Sequence, residues 1–96
     1  MDITDYSNPT IVQKNAKQYL GRNARVFLST RKDKKYMIKR PDGEWVHFGA
    51  YPYEDYTKHR DEARRNRYLA RATNVRGNWA ENKYSANNLA IHLLWN

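Results

Sequence analysis

Four arginines, at 60, 64, 67 and 71, are the residues of this chain whose type and spacing most directly suggest chemistry. On a helix that spacing places them within about 40° of one line. Guanidinium groups stacked a turn apart can address successive phosphates, each as a planar fork of donors. Around them, between His47 and Arg71, lie His47, His59, Asp55, Asp61, Tyr51, Tyr53, Tyr56 and Tyr68. Core packing alone does not call for that collection. A surface helix also carries arginines that merely pair with local acids, as Asp61 with Arg65. The stripe itself has no acid at its own i±4 positions, so anion binding is the better expectation.

The histidines invite a second chemistry. Convergence of His47 and His59, with Asp61, would suit phosphodiester cleavage, which needs only an acid, a base and a phosphate clamp. Their spacing matches no metal-binding motif, and no cofactor is called for. A strand histidine is more commonly a half-buried packing residue, so catalysis is not expected. His92 reads as a surface residue. The tyrosines and tryptophans offer stacking surfaces for bases. In a chain short of Leu and Ile, Tyr68, Trp79 and Trp95 are expected in the core instead.

Composition sets the frame. Among 96 residues there are 18 Lys and Arg against 10 Asp and Glu, a net charge of +8, with a pI near 9.9. Such a balance points to a polyanionic partner. The charge is uneven: from Lys14 to Arg40 ten basic residues stand against one acid, Asp33. Arg31, Lys32, Lys34 and Lys35 form its densest part and join the arginines as candidate contacts. There is no cysteine, which leaves neither a disulfide framework nor a cysteine zinc site. Neither a secretory signal nor a membrane-length apolar run is present, so a reducing, cytosolic setting and no membrane partner are expected.

The elements that must position these residues follow from period and punctuation. Residues 1–8 read as an exposed, flexible tail on a single domain of residues 1–96. Asn8-Pro9 is a cap followed by proline at the first helical position, and the helix runs to Gly21 on Ile11, Val12, Ala16, Tyr19 and Leu20. From Ala24 the period changes to two. Strands are expected at 26–29, 36–39 and 44–48, with Arg31–Lys35 as a charged hairpin loop and Pro41-Asp42-Gly43 as a turn. Phe27, Met37 and Val46, or their neighbours, should share one face of this meander. A helix from about Arg60 to Thr73 follows, capped by Thr57 or Asp55, with Asp61 and Glu62 in its first turn. Asn74–Glu81 is expected as a loop. Ser85 caps a last helix whose stripe is Ala86, Leu89, Ala90, Leu93 and Leu94. The fold class is therefore α+β, a three-stranded antiparallel meander packed with two to three helices.

The segment H-F-G-x-x-x-Y-E-D-Y-T-x-H-R-D-E-x-R-R-x-R-Y-L-A-R, then N-W and the ending Y-S-A-N-N-L-A-I-H-L-L-W-N, resembles a family of small basic proteins. They are of unknown function and encoded by large nucleocytoplasmic DNA viruses, the giant viruses of algae and amoebae. Upstream, Y-L-G and S-T-R-K-D-K-K-Y-M-I-K extend the likeness to roughly residues 19–96. Its recurrent positions fall on His47, Phe48, Gly49, Tyr53, Asp55, Tyr56, Thr57, His59, Asp61, Arg64, Tyr68, Arg71 and Trp79, without a role attached to any. The resemblance implies a viral protein of the virion, host cytoplasm or viral factory, under the capsid shell or on the genome. Non-enzymatic binding of nucleic acid, DNA in preference to RNA, is the first expectation. The alternatives are a minor capsid protein cementing acidic viral structural proteins and a phosphodiester-cleaving enzyme using His47, His59 and Asp61.

Overall fold

Asn8 starts the first helix as its spacing predicts: the side-chain carbonyl accepts from the N–H groups of Thr10 (3.1 Å) and Ile11 (3.3 Å), and Pro9 occupies the first turn. In the computed structural model, which describes residues 2–77 and 79–96, this helix α1 spans Pro9–Leu20 and stops at Gly21. Val12 and Ala16 are buried, and so is Asn15, which the hydrophobic period passes over. Asn15 donates from Nδ2 to the carbonyl of Leu93 (3.0 Å), satisfying two buried polar groups at once.

Three antiparallel strands follow in the order β1-β2-β3: β1 Val26–Leu28, β2 Lys34–Lys39 and β3 Trp45–Ala50. The register pairs Val26 with Ile38 and Ile38 with Val46, and Leu28 with Tyr36 and Tyr36 with Phe48. Since paired residues share a face, this is the inner one, and Tyr36, Ile38 and Phe48 are buried in it. Phe27, Met37 and His47 form a row on the opposite face. The expected grouping of Val46 with Phe27 and Met37 is thus corrected: one residue of register moves a side chain to the other side. β2 also begins earlier than expected, so Lys34 and Lys35 belong to the strand and not to the hairpin loop.

The helix expected from about Arg60 to Thr73 begins two residues later, and a separate helical turn precedes it. A single turn, α2 (Tyr56–His59), ends at Arg60, whose φ of 54° is left-handed; α3 then spans Glu62–Thr73. After a short 3-10 turn at Trp79–Glu81, α4 (Ala86–Leu89) runs on into a π turn at Ala90–Leu94. Ser85 caps α4 by accepting from the N–H of Asn88 (3.2 Å). Leu89, Ala90, Leu93 and Leu94 are buried with Val12, Ala16 and the inner sheet face. Ala86 is exposed, and Asn88 takes the buried place. Its Nδ2 donates to the carbonyls of Trp79 (2.8 Å) and Asn82 (2.9 Å), clamping the preceding loop.

Residues 2–8 are not a free tail. Ile3 packs on the core, and Ser7 is 1% exposed. The carbonyl of Tyr6 accepts from the N–H of Asp55 (3.1 Å). Met1, at the start of that expected tail, and Asn78, in the expected 74–81 loop, lie outside the described residues.

Gly49 shows how tightly sheet and last helix meet. Its φ is +83°, and a Cβ there would stand 2.8 Å from Leu94 Cδ1. At Gly43 in the turn, φ is +94° and a Cβ would meet nothing. Gly43→Ala should therefore cost about 1 kcal/mol, from backbone conformation alone. Gly49→Ala should cost roughly 1–3 kcal/mol more, because the core must also give way. Urea denaturation of the two variants measures the difference, and equal losses would contradict it.

Candidate nucleic-acid interface

The segment from Ala50 to Thr73 is placed by one buried side chain. Asp55 is completely buried. Its Oδ2 accepts from Lys35 Nζ at 3.0 Å, and its Oδ1 accepts from the N–H of Thr57 at 3.0 Å and from the Thr57 hydroxyl. Thr57 has one hydroxyl hydrogen, and it goes to Asp55. Ser7, 3.2 Å from Thr57 Oγ1, is then the donor to it, and Tyr36 donates to Ser7 at 2.7 Å. Three hydroxyls thus point in sequence toward one carboxylate. Thr57 Oγ1 also accepts from the N–H of Asn8 (2.9 Å), so the network joins α1, β2 and α2. Burial drives the Tyr36 phenol far above the usual tyrosine range, with the Asp55 charge adding to it.

Lys35 is 4% exposed, which corrects its expected role as a surface phosphate contact. Burial lowers its ammonium pKa despite the opposing pull of Asp55. The register sets Gly49 opposite Lys35, between the pairs Lys34–Ala50 and Tyr36–Phe48. A Cβ on Gly49 would come 3.4 Å from Lys35 Cβ, so the glycine leaves space for the lysine stem.

At Arg60 the first helical turn ends, and Asp61 caps α3 by accepting from the N–H groups of Ala63 (3.0 Å) and Arg64 (3.2 Å). These backbone bonds hold the Asp61 carboxyl below the usual range. Arg60 is consequently not in the arginine stripe. Its guanidinium lies over the Tyr56 ring, 4.9 Å from the centroid. The helix axis begins after it, which the continuous i, i+4 reading could not show. On the core side of α3, Arg65 Nε donates to the carbonyl of Trp95 (2.7 Å), and Tyr68 stacks on the Trp95 ring at 4.2 Å. Half-burial of Trp95 and Tyr68 agrees with the expected packing role.

Arg64, Arg67 and Arg71 line one cleft of 480 Å³ with Lys34, Tyr53 and Glu54, over a floor that includes Phe48 and Leu94. Along α3 the three arginines span about 10 Å. Arg64 stands 4.0 Å from Glu54. Among the described residues Lys34, Arg67 and Arg71 have no acid within ion-pair distance. Lys34 also borders a second hollow with Arg31 and Lys32, so the basic surface continues onto the hairpin. There Arg31 is 3.5 Å from Asp33.

The two histidines are not brought together. His47, on the outer sheet face, has Nδ1 2.7 Å from Ser29 Oγ. His59 lies on the helical side against Trp95, with ring centroids 5.2 Å apart, and its Nδ1 accepts from the N–H of Asp61 (3.0 Å). His59 Nε2 is buried without a partner among the described residues. His92 is half-buried and stacked on Tyr19 at 4.1 Å, not a surface residue as expected. Among the described residues no group of three His, Asp or Glu is arranged to hold a metal.

The model of a family of unknown function, DUF5754, matches residues 24–72. The chain belongs to the DUF5754 family. That match runs from the residue before Arg25 to the last turn of α3, so the DUF5754 region contains the whole sheet, the Lys35–Asp55 pair and all three cleft arginines. Within the DUF5754 chain, α1 and α4 fall outside the match but complete the core. No curated protein and no solved structure matches the chain.

Sequence reasoning missed the buried pair because Lys35 sits in a run of exposed charge. The available signal was Asp-x-Thr at 55–57, a cap whose carboxylate needs a partner once buried. Replacing Lys35 with Met should cost about 3–5 kcal/mol by stranding the Asp55 charge, and adding Asp55→Asn should restore part of that loss. Equilibrium unfolding in a double-mutant cycle reads the coupling; additive losses would contradict it.

The histidines give a second test. Burial, with Arg64 nearby, lowers the His59 pKa below 6.5, and burial with Lys83 does the same to His92. Below that value the unfolded chain binds protons that the folded one resists, so stability is full above pH 6.5 and falls as pH drops through the folded values. Melting temperature should fall from about pH 7.5 to about pH 5, and His59→Gln with His92→Gln should flatten the decline. A profile unchanged by the substitutions would contradict this assignment.

Proposed function

We propose that this protein binds nucleic acid without catalysis, holding the phosphate backbone in the cleft between α3 and the sheet. The observation that carries the reading is the cleft: Arg64, Arg67 and Arg71 from one helix and Lys34 from the sheet converge on it, with Glu54 as the one acid among its lining residues. The interface comprises these four with Arg31 and Lys32 beside them; Lys35 is committed to Asp55, and Arg60 to Tyr56. The likeness of His47–Arg71 to small basic proteins of large nucleocytoplasmic DNA viruses supports a virion-associated role, with DNA as the polymer. Cleavage chemistry draws no support from the separation of His47 and His59 on the two sides of the sheet.

Duplex DNA should bind with little sequence preference and weaken steeply with salt. Arg67→Gln with Arg71→Gln preserves helix propensity and should lower the log–log salt slope by about 2, at about 0.9 for each lost phosphate contact. Lys14→Gln with Lys17→Gln removes the same charge from exposed positions on α1 and should change it by less. Equal effects would make net charge the determinant. Absence of DNA binding at low salt would end the reading and favour an acidic viral structural protein as the partner. Incubation with Mg²⁺ or Mn²⁺ should leave DNA and RNA intact, whereas turnover abolished by His47→Ala or His59→Ala would establish an enzyme.

A further inference from the structure

At the other end of the sheet lies a second cationic hollow that the arginine cleft does not explain. It has a volume of 560 Å³ and is lined by Arg22, Arg25, Phe27, Lys39, Trp45 and Tyr84 among others, with no acidic residue in its lining. Lys39 pairs with Trp45 at this end of β2, whereas Lys34 pairs with Ala50 at the cleft end. Five residue steps separate them, about 17 Å along the strand. The two sites are therefore distinct.

Two of the aromatic residues here, Phe27 and Trp45, are not used by the core. Phe27 is 46% exposed and Trp45 42% exposed, and they stand T-shaped with centroids 5.7 Å apart. Lys39 Nζ lies 5.9 Å from the Trp45 ring centroid. Arg22 and Arg25 have no acid within ion-pair distance among the described residues. A cross-strand aromatic pair stabilises a sheet, but that role does not call for three cations and no acid among the lining residues of the hollow.

We propose that this hollow is a second nucleic-acid site, specific for unpaired nucleotides, with a base stacked on Trp45 or Phe27 and its phosphates on Arg22, Arg25 and Lys39. An anion that also carries a flat π surface satisfies both halves of the site. A duplex offers the phosphates but hides its base faces, and an acidic peptide offers the charge without the stacking surface. Single-stranded DNA or RNA is the polymer class that meets both requirements. The inference goes beyond the α3 cleft, from which it is separated in space and in the residues it uses.

The test is titration of the intact protein with a short oligothymidine, following tryptophan emission and affinity together. The oligonucleotide should quench emission in the parent protein. Trp45→Ala should abolish most of the quenching and weaken binding on the order of tenfold. Trp45→Phe, which keeps an aromatic ring and guards against a folding defect, should lose quenching while retaining most of the affinity. Lys39→Gln should reduce the salt slope by about 0.7. Arg67→Gln with Arg71→Gln should leave the quenching in place. Quenching that survives Trp45→Ala, or a Trp45-dependent response of equal strength to blunt duplex or to a glutamate-rich peptide, would overturn the proposal. Duplex binding through α3 with no Trp45 response to oligothymidine would remove this site alone, and a Trp45-dependent response to oligothymidine with no duplex binding would remove the cleft reading alone.

Discussion

The ion pair between Lys35 and Asp55 is the constraint on which the rest of the arrangement depends. Two ionised groups in the interior are costly to desolvate, and their attraction repays that cost only when the remaining valences are filled. Here they are filled by Thr57 twice on the carboxylate, while Ser7 and Tyr36 extend the donor chain behind it. The lowered Lys35 pKa marks burial as the stronger influence on the ammonium. What the pair supplies is position. It attaches the turn before α3 to the central strand of the sheet, and the N-terminal residues close over it because the Tyr6 carbonyl and Asn8 N–H have partners there.

From that anchor the orientation of α3 follows. Asp55 starts one helical turn, Arg60 breaks it with a left-handed residue, and Asp61 starts another helix. The break leaves Arg60 outside the cleft, whereas Arg64, Arg67 and Arg71 line it with Lys34. On the opposite flank, Tyr68 and Arg65 are held by the terminal Trp95. The arginine row is therefore fixed by contacts its own residues do not make. Arginines carried on a helix secured from behind would lose less freedom on binding than arginines on a free loop.

The charge is also distributed with economy. Buried or paired cations such as Lys35 and Arg64 are partly neutralised by Asp55 and Glu54, whereas Lys34, Arg67, Arg71, Arg22, Arg25 and Lys39 have no such partner among the described residues. These unpaired groups collect at the two ends of one sheet. A net charge of +8 would steer any polyanion to the protein. The local geometry, a helix row at one end and exposed rings at the other, is what would distinguish a continuous backbone from an unstacked base.

The local elements follow from neighbouring residues alone. Asn8-Pro9, Ser85, Gly43 and the switch of hydrophobic period at Ala24 act through neighbours a few residues away, so α1, the meander and the start of α4 were legible without tertiary information. The basic character of the surface and the helical spacing of Arg64, Arg67 and Arg71 were legible from the sequence too. The tertiary structure alone decided what depends on distant contacts. The strand register put Val46 opposite in facing to Phe27 and Met37. Burial turned Lys35 from a surface charge into half of an interior ion pair, and drew Asn15 and Asn88 inward as hydrogen-bond clamps. The kink at Arg60 removed one arginine from the row, and the two faces of the sheet kept His47 and His59 apart. Each of these rests on packing between segments far apart in the chain, where a residue's type fixes what it can bond to but not which partner the fold brings within reach.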